Sequence, residues 1–253
     1  MDFIQAIILG LIQGFTEWLP ISSSGHLVIA QKLMNLTIPV VFDVMLHVGT
    51  LIAVILFFWK DILKILKSVF TFKTKDENFR LLVYVLIGTI PTAIIGFLFL
   101  KFFESLFSNV KAVGIGFLIT GILLLFSKFR NDEKKLNWFK SLLIGTVQGI
   151  SIAPGISRSG STMSIGLLSG VKKSEVFKYS FLLSIPAIIG ASVLEHSNLA
   201  LSDLGIYSLI GMIVSAISGY VAIKIVHKIL LSKKFYLFAI YCFLLGILVL
   251  LIL

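Results

Sequence analysis

Five ionisable side chains lie within otherwise apolar segments of this sequence. They are Glu17, His26, Asp43, His47 and Arg158. Ionisable groups are costly in such surroundings, so they are the first candidates for function. Carboxylates and imidazoles transfer protons, and a guanidinium binds anions with a planar fork of donors.

Glu17 and Arg158 carry the strongest chemical signal. Gln13 precedes Glu17 by four residues, which places both side chains on one face of a helix. Glu17, with Gln13 beside it, could serve as a metal ligand or a base, whereas Arg158 suits phosphate oxygens. The alternative is that Glu17 neutralises Arg158 as a buried structural pair, and the two roles can coexist.

The remaining three groups have two interpretations each. His26 opens a short helix and could transfer protons, or it could be a capping or interfacial histidine. Asp43 and His47 are four residues apart near the start of the first long apolar run. A polar contact between helices or a support for a neighbouring hairpin explains them as well as chemistry does.

Two segments rich in serine and glycine each precede a short apolar run. One is Ser22-Ser23-Ser24-Gly25 and the other is Ser157-Arg158-Ser159-Gly160. The N–H groups and dipole of a helix that begins there favour an anion. Further hydroxyl donors follow at Ser161 and Thr162. Small residues also allow close helix packing, and this alternative stays open for Ser161 and Ser164.

One pocket that combines these groups has the equipment to break a phosphoanhydride. Arg158 would neutralise charge, a hydroxyl nucleophile or a bound water would attack, and the carboxylate and the imidazole would move protons. A divalent metal would fit, with Mg2+ expected and Ca2+ as the alternative, because Mg2+ is held by few carboxylates plus substrate phosphates. A substrate reached from within a membrane has an apolar tail, which favours a lipid diphosphate.

The composition requires a membrane around this pocket. The chain has 253 residues, of which 58% are hydrophobic and 13% are charged, and its mean hydropathy is +1.05. These values exclude a soluble domain, a disordered chain and a coiled coil. The net charge of +10 fits basic loops on one membrane face better than nucleic-acid binding, which we do not expect. The single cysteine, Cys242, excludes a disulfide framework.

Long apolar runs predict six transmembrane helices, and two shorter runs predict re-entrant hairpins. The six crossings are expected at about 40–59, 81–103, 110–127, 176–194, 204–226 and 235–253. The hairpins are expected at 3–36 and 141–171, each broken at its serine-rich turn. Such broken backbone is tolerated where protein or a water-filled cavity surrounds it. The predicted fold class is an all-α polytopic membrane protein.

Basic residues predict the orientation. They cluster at 60–80, 128–140 and 224–234, whereas 104–109 and 195–203 contain none. The three clusters should be cytoplasmic. The first hairpin and both termini should then be outside, and the second hairpin inside.

An internal repeat supports this layout. A shift of 135 residues aligns 10–25 with 145–160 and matches seven of sixteen residues, among them Ile21 with Ile156. Three crossings separate the copies, so the second half is inverted relative to the first. We expect one integral membrane domain, with repeat 1 at about 1–127 and repeat 2 at about 136–253. The two hairpin tips should meet near the midplane.

At both tips the sequence resembles the undecaprenyl-diphosphate phosphatase (bacitracin-resistance) family. Residues 13–26 look like its first motif and 154–162 like its second, and 42–50 is also similar to family sequence. The resemblance implies a multi-pass plasma-membrane enzyme that removes the terminal phosphate of a C55 polyprenyl diphosphate at the outer face. That reaction regenerates the lipid carrier for cell-wall synthesis and is linked to bacitracin resistance.

The resemblance also implies roles for single residues. Glu17 and Gln13 would lie at the metal and water, and His26 and Ser23 would belong to the catalytic group with Glu17 and Arg158. The diphosphate would lie among Gln13, Ser24, Ser157, Arg158, Ser159, Gly160 and Thr162. We expect metal-assisted attack by water with His26 as proton shuttle, although neither resemblance nor sequence decides between water and Ser23.

Two other functions compete with hydrolysis. A transporter or flippase for polyprenyl phosphate or another anion would use the same inverted architecture. A noncatalytic scaffold would give the buried Glu17 and Arg158 no function. Glu17 and His26 favour the hydrolase, because a pure anion carrier has little use for a carboxylate beside a phosphate site. The oligomeric state stays open, a homodimer included.

Overall fold

The described part of the chain is built from helices joined by turns and loops. The computed structural model describes residues 1–71, 74–129, 134–196, 205–232 and 234–253. Eleven α-helices occur in these ranges, namely α1 (Phe3–Trp18), α2 (Ser23–Leu33), α3 (Val40–Phe70), α4 (Glu77–Leu98), α5 (Leu100–Phe107), α6 (Val110–Phe126), α7 (Trp138–Ile150), α8 (Arg158–Leu168), α9 (Lys173–His196), α10 (Ile206–Leu231) and α11 (Phe238–Ile252). Short 3-10 helices at Ser127–Phe129 and Phe235–Leu237 complete the described elements.

Several of these helices suit a membrane interior. The helices α3, α4, α9 and α10 and the segment Phe235–Ile252 are each long and apolar enough to cross a bilayer. The pair α5 and α6 would add a sixth crossing if counted as one span, although it bends by 104°. Large apolar side chains such as Phe97 and Leu251 lie exposed on the outer surface, as a lipid-facing surface requires. The chain is a multi-pass membrane protein.

The boundaries of the first two predicted spans differ from the structure. The helix α3 runs to Phe70 and not to 59, because Lys60, Lys64 and Lys67 continue the helix beyond the apolar run. The predicted span 81–103 ends at Leu98, and α5 follows as a separate helix. The sequence has no proline between α4 and α5 that would have predicted the break. The predicted loops at 130–133 and 197–204, and the basic positions 73 and 233, lie outside the described residues.

Two short helix pairs occur where hairpins were predicted. In the first, Leu19 has an extended backbone with ψ 144°, as expected for the residue before Pro20, and Ser22 caps α2 through Gly25 N–H. In the second, Ser157 caps α8 through Gly160 N–H in the same way. The serine that ends each turn therefore begins the returning helix.

Glycine allows the first helix of each pair to pack closely against a distant helix. The helix α1 packs on α10, where a Cβ on Gly10 would lie 2.8 Å from the carbonyl oxygen of Gly211. The helix α7 packs on α4, where a Cβ on Gly145 would lie 2.0 Å from the carbonyl oxygen of Gly88. Such contacts without side chains are typical of helices packed in a membrane. They fix how closely α1 and α7 approach α10 and α4.

Replacing Gly145 by alanine should destabilise the protein. The new methyl group would overlap backbone, which cannot move aside without separating α7 from α4, and such overpacking costs about 1 to 3 kcal/mol. Thermal unfolding of the purified protein in detergent measures the effect. Gly190→Ala is the matched control, because no heavy atom lies within 4 Å of that added Cβ. Equal melting temperatures for the two variants would contradict the proposed packing constraint.

Candidate functional site

The two helix turns bring Glu17 and Arg158 into direct contact. A guanidinium nitrogen (Nη2) of Arg158 donates to Glu17 Oε1 at 2.5 Å, across 141 residues of sequence. The side chains are only 14% and 8% exposed, respectively. The predicted structural pair is therefore present, and it joins the end of α1 to the start of α8.

The second carboxylate oxygen of Glu17 binds two partners from the first pair of helices. Ser23 Oγ donates to Oε2 at 2.5 Å, and Gln13 Nε2 donates to the same oxygen at 3.2 Å. Gln13 and Glu17 thus share a helix face, as their spacing predicted. Four of the predicted site residues, Gln13, Glu17, Ser23 and Arg158, form one buried cluster.

Two polar atoms in this cluster are buried without a hydrogen-bond partner in the protein. The second guanidinium nitrogen (Nη1) of Arg158 and the carbonyl oxygen (Oε1) of Gln13 are buried without a hydrogen-bond partner. Buried polar groups are nearly always paired, so each such atom needs an explanation. The free donor on Arg158 suits a phosphate oxygen, and the free acceptor on Gln13 suits a cation or a water molecule.

The backbone of both turns presents further donors. Arg158 and Ser159 begin α8, and Ser23 and Ser24 begin α2, so their N–H groups have no acceptor within their own helix. Together with the two helix dipoles they favour an anion between the turns. Among the described residues, however, no group of three or more His, Cys, Asp or Glu side chains could hold a metal.

Several predicted substrate-binding hydroxyls are occupied by the protein itself. Ser157 Oγ accepts from Gly160 N–H at 3.1 Å, and Ser159 Oγ donates across the turns to the carbonyl of Leu19 at 3.1 Å. Thr162 donates to the carbonyl of Arg158 at 2.8 Å and lies 2.6 Å from Ser180 Oγ. Their side chains hold the second turn in place, while Ser24 Oγ lies 3.2 Å from Ser22 Oγ in the first.

His26 lies apart from this cluster. Its Nδ1 is 2.7 Å from the carbonyl of Ser22, and its Nε2 is 2.7 Å from the hydroxyl of Tyr241. The ring also packs edge-on against Phe117. Within the described residues His26 makes no hydrogen bond to Glu17, Ser23 or Arg158, so both of its nitrogens are bound elsewhere.

Asp43 and His47 support the first pair of helices. Gln31 on α2 donates to both carboxylate oxygens of Asp43 on α3, at 3.1 and 3.3 Å. His47 Nδ1 lies 2.8 Å from the carbonyl of Asp43, and its ring is close enough to Glu17 for an electrostatic interaction. Asp43 thus links α2 to α3, which agrees with the supporting role considered for it.

Sequence reasoning missed three residues that complete the site. The indole of Trp18 lies 4.9 Å from the Arg158 guanidinium carbon, a cation-π contact. Thr120 on α6 accepts from Ser157 N–H at 2.9 Å and donates to the carbonyl of Gly155 at 3.0 Å. Tyr241 on α11 binds His26. Trp18 adjoins Glu17 in sequence and could have been found, whereas Thr120 and Tyr241 lie in apolar runs without any signal.

Two residues of the turns have a left-handed backbone. Gly155 has φ 87°, and a Cβ there would lie 2.2 Å from the carbonyl oxygen of Val113, so only glycine fits. Ser22 has φ 66°, which costs about 1 to 3 kcal/mol for a residue with a side chain. Its strained backbone lies directly before Ser23, and such strain is concentrated at functional sites.

Comparison with known proteins identifies similar chains over the full length. The model of the family described as "Bacitracin resistance protein BacA" matches residues 6–248. A protein of Korarchaeum cryptofilum named undecaprenyl-diphosphatase is 41% identical, covering 99% of each chain. Proteins of the same name from Halothermothrix orenii and Thermosipho africanus are 42% and 43% identical, covering 100% and 95% of this chain and 98% and 96% of their own.

The ion pair should dominate the stability of the site. Removing one partner of a buried pair leaves the other charge unpaired and costs about 3 to 5 kcal/mol. We therefore expect Glu17→Gln and Arg158→Gln each to lower the melting temperature in detergent, and the double variant to be more stable than the sum of the two losses predicts. Additive losses would mean that the two side chains are not coupled.

Proposed function

Because the chain belongs to the bacitracin resistance protein BacA family, we propose that it hydrolyses undecaprenyl or another polyprenyl diphosphate to the monophosphate and inorganic phosphate. Three full-length relatives with this activity in their names support the reaction. The geometry that carries it is the buried cluster of Arg158, Glu17 and Ser23 between two helix N-termini. That cluster offers an anion site and a proton acceptor in contact with a hydroxyl nucleophile.

Arg158 binds and neutralises the diphosphate in this proposal. Its free guanidinium nitrogen (Nη1) and the N–H groups that begin α8 and α2 are the donors for the phosphate oxygens. The stacking on Trp18 holds the guanidinium plane in one orientation. Phosphoryl transfer depends mainly on such positioning and charge stabilisation.

Ser23 is the nucleophile that the geometry favours over water. Its hydroxyl already donates to Glu17 at 2.5 Å, so Glu17 can take the proton as Ser23 Oγ attacks the terminal phosphorus. The bond from that phosphorus to the bridging oxygen breaks, and polyprenyl monophosphate leaves. Water then cleaves the phosphoserine to release phosphate. This mechanism is an alternative to the expected direct attack by water, and it does not use His26, which makes no hydrogen bond to Glu17 or Ser23 within the described residues.

A divalent cation fits the donors of this site in part. Glu17, the free carbonyl oxygen of Gln13 and the hydroxyl of Ser23 are hard oxygen ligands of the kind that Mg2+ or Ca2+ prefers. The cluster supplies only one carboxylate, so phosphate oxygens and water would complete the coordination. A bound cation would polarise the diphosphate and stabilise the charge that develops on its oxygens. We propose Mg2+ as the cofactor on this basis.

We also propose the topology in which this site operates. Six crossings, with α5 and α6 forming one of them, and two re-entrant hairpins (α1–α2 and α7–α8) would form a single domain of two inverted repeats, 1–127 and 136–253. The matched pairing of α1 with α10 and α7 with α4 supports this arrangement. Basic loops would face the cytoplasm, which places the first hairpin and the opening of the site at the outer face of the plasma membrane.

The reaction is tested by phosphate release from C55 polyprenyl diphosphate. Purified protein in detergent should release phosphate with Mg2+ and lose most of this activity in a chelator. Arg158→Ala should lose at least about 100-fold in kcat because the charge stabilisation is lost, and Glu17→Gln should lose a similar factor. Thr146→Ala, which removes an exposed hydroxyl from α7, is the control. Lipid binding without release by the folded wild type would favour the carrier alternative.

Substitution of two neighbouring serines tests the identity of the nucleophile. Ser23→Ala should lose about 1,000-fold or more in kcat, because an alanine cannot form the phosphoserine. Ser24→Ala, whose hydroxyl contacts Ser22 and not Glu17, should lose much less. Rapid quenching with radiolabelled diphosphate should trap labelled protein in the wild type. Substantial turnover by Ser23→Ala with no trapped intermediate would assign the attack to water.

A further inference from the structure

An apolar cleft opens beside the first hairpin, on the side of the C-terminal helix. It has a volume of about 380 Å3. Its lining comprises Ile21, Ile229, Lys234, Leu237, Phe238 and Tyr241. Lys234 is the single charged residue in this lining. Ile21 comes from the turn between α1 and α2, so one end of the cleft reaches the turn that contains Ser22 and Ser23.

The wall of the cleft is continuous with the first motif. The hydroxyl of Tyr241 lies 2.7 Å from His26 Nε2, and the two rings are stacked with centroids 5.7 Å apart. The other ring nitrogen faces the carbonyl of Ser22. Because a carbonyl only accepts, Nδ1 carries the proton of the neutral imidazole and Nε2 accepts from Tyr241. A molecule in the cleft would therefore touch the partner of His26.

The matching position on the second hairpin is filled with apolar side chains. Ile156, which matches Ile21 in the repeat, packs in a buried cluster with Phe103 of α5, and Leu106 of α5 packs against the same cluster. The helix α5 lies between α4 and α6. The corresponding connection between α10 and α11 contains, in its described residues, only the 3-10 helix Phe235–Leu237. Ile21 thus borders an open cleft. Ile156, at the matching position of the second repeat, is covered by α5.

The dimensions of the cleft suit a hydrocarbon chain. Its volume of about 380 Å3 lies within the range of small-molecule pockets, which is about 300–1,000 Å3. An apolar lining gains free energy by covering apolar ligand surface. The side chains of Phe103 and Leu106 at the matching position have the same apolar character as that ligand.

We propose that this cleft binds the isoprene units next to the diphosphate of the substrate. This inference rests on the proposed function. With the diphosphate at Arg158 and Glu17, the tail would pass Ile21 and Tyr241 and continue along Leu237. The cleft would then select substrates by the presence of a prenyl tail, a task that the phosphate-binding residues cannot perform.

A bulky side chain in the cleft should lower the turnover of a long prenyl diphosphate more than that of a short one. Leu237→Trp and Ile229→Trp would fill the cleft from two different helices, and each should lower kcat/KM for a C15 prenyl diphosphate by about tenfold. Turnover of a C5 prenyl diphosphate, which is too short to fill the cleft, should stay within about twofold. Ile240→Trp is the control, because Ile240 is an exposed residue of α11 outside the lining.

A binding measurement separates this inference from the proposed reaction. A C15 bisphosphonate with a diazirine on its second isoprene unit should label residues between 229 and 241, and Leu237→Trp should abolish that labelling. Labelling there in a protein that hydrolyses no diphosphate would support the cleft and overturn the proposed function. Normal hydrolysis with labelling elsewhere, or equal loss for C15 and C5 substrates in both cleft variants, would overturn the cleft.

Discussion

The ion pair between Glu17 and Arg158 is the interaction on which the rest of the structure depends. Both side chains are nearly buried in a protein whose surroundings are apolar. Neither charge is tolerable there alone, because desolvation of a single ion costs several kcal/mol. The two turns that carry them must therefore approach each other. The close glycine contacts of α1 with α10 and of α7 with α4 position the helices that lead into those turns.

The site is asymmetric although its scaffold is built from two similar motifs. Glu17 matches Ile152 in the second copy, and Ser23 matches Arg158. Both Ser23 and Arg158 bind the carboxylate of Glu17, one at each of its oxygens. Equivalent positions at the start of two half-helices thus supply a hydroxyl and a guanidinium to one carboxylate. A symmetric pair of motifs would give two like groups and could not place a hydroxyl and a guanidinium on one carboxylate.

The same divergence extends to the surroundings of the turns. His26 matches Ser161, and only the first of these meets a hydrogen-bonding partner, Tyr241. The helix α5 covers the second turn, whereas the first turn borders a cleft. Differences of a few residues therefore assign different tasks to the two halves. The second hairpin holds the arginine in a frame of serine and threonine hydrogen bonds, and the first contributes Glu17 and Ser23.

Much of this protein was determined by its sequence alone. The length of the apolar runs predicts spans and short helix pairs, because a bilayer sets the number of residues that a helix needs. The spacing of Gln13 and Glu17 predicts their shared face, and the repeated serine-rich segments predict two anion-binding turns. Tertiary structure decided the rest. The contact of Ser23 with Glu17, the separation of His26 from both and the involvement of Thr120 and Tyr241 depend on helices that meet only after folding. No local periodicity encodes such contacts, since each joins different elements of the fold, with partners 6 positions apart for Ser23 and Glu17, 37 for Thr120 and Ser157, and 215 for His26 and Tyr241.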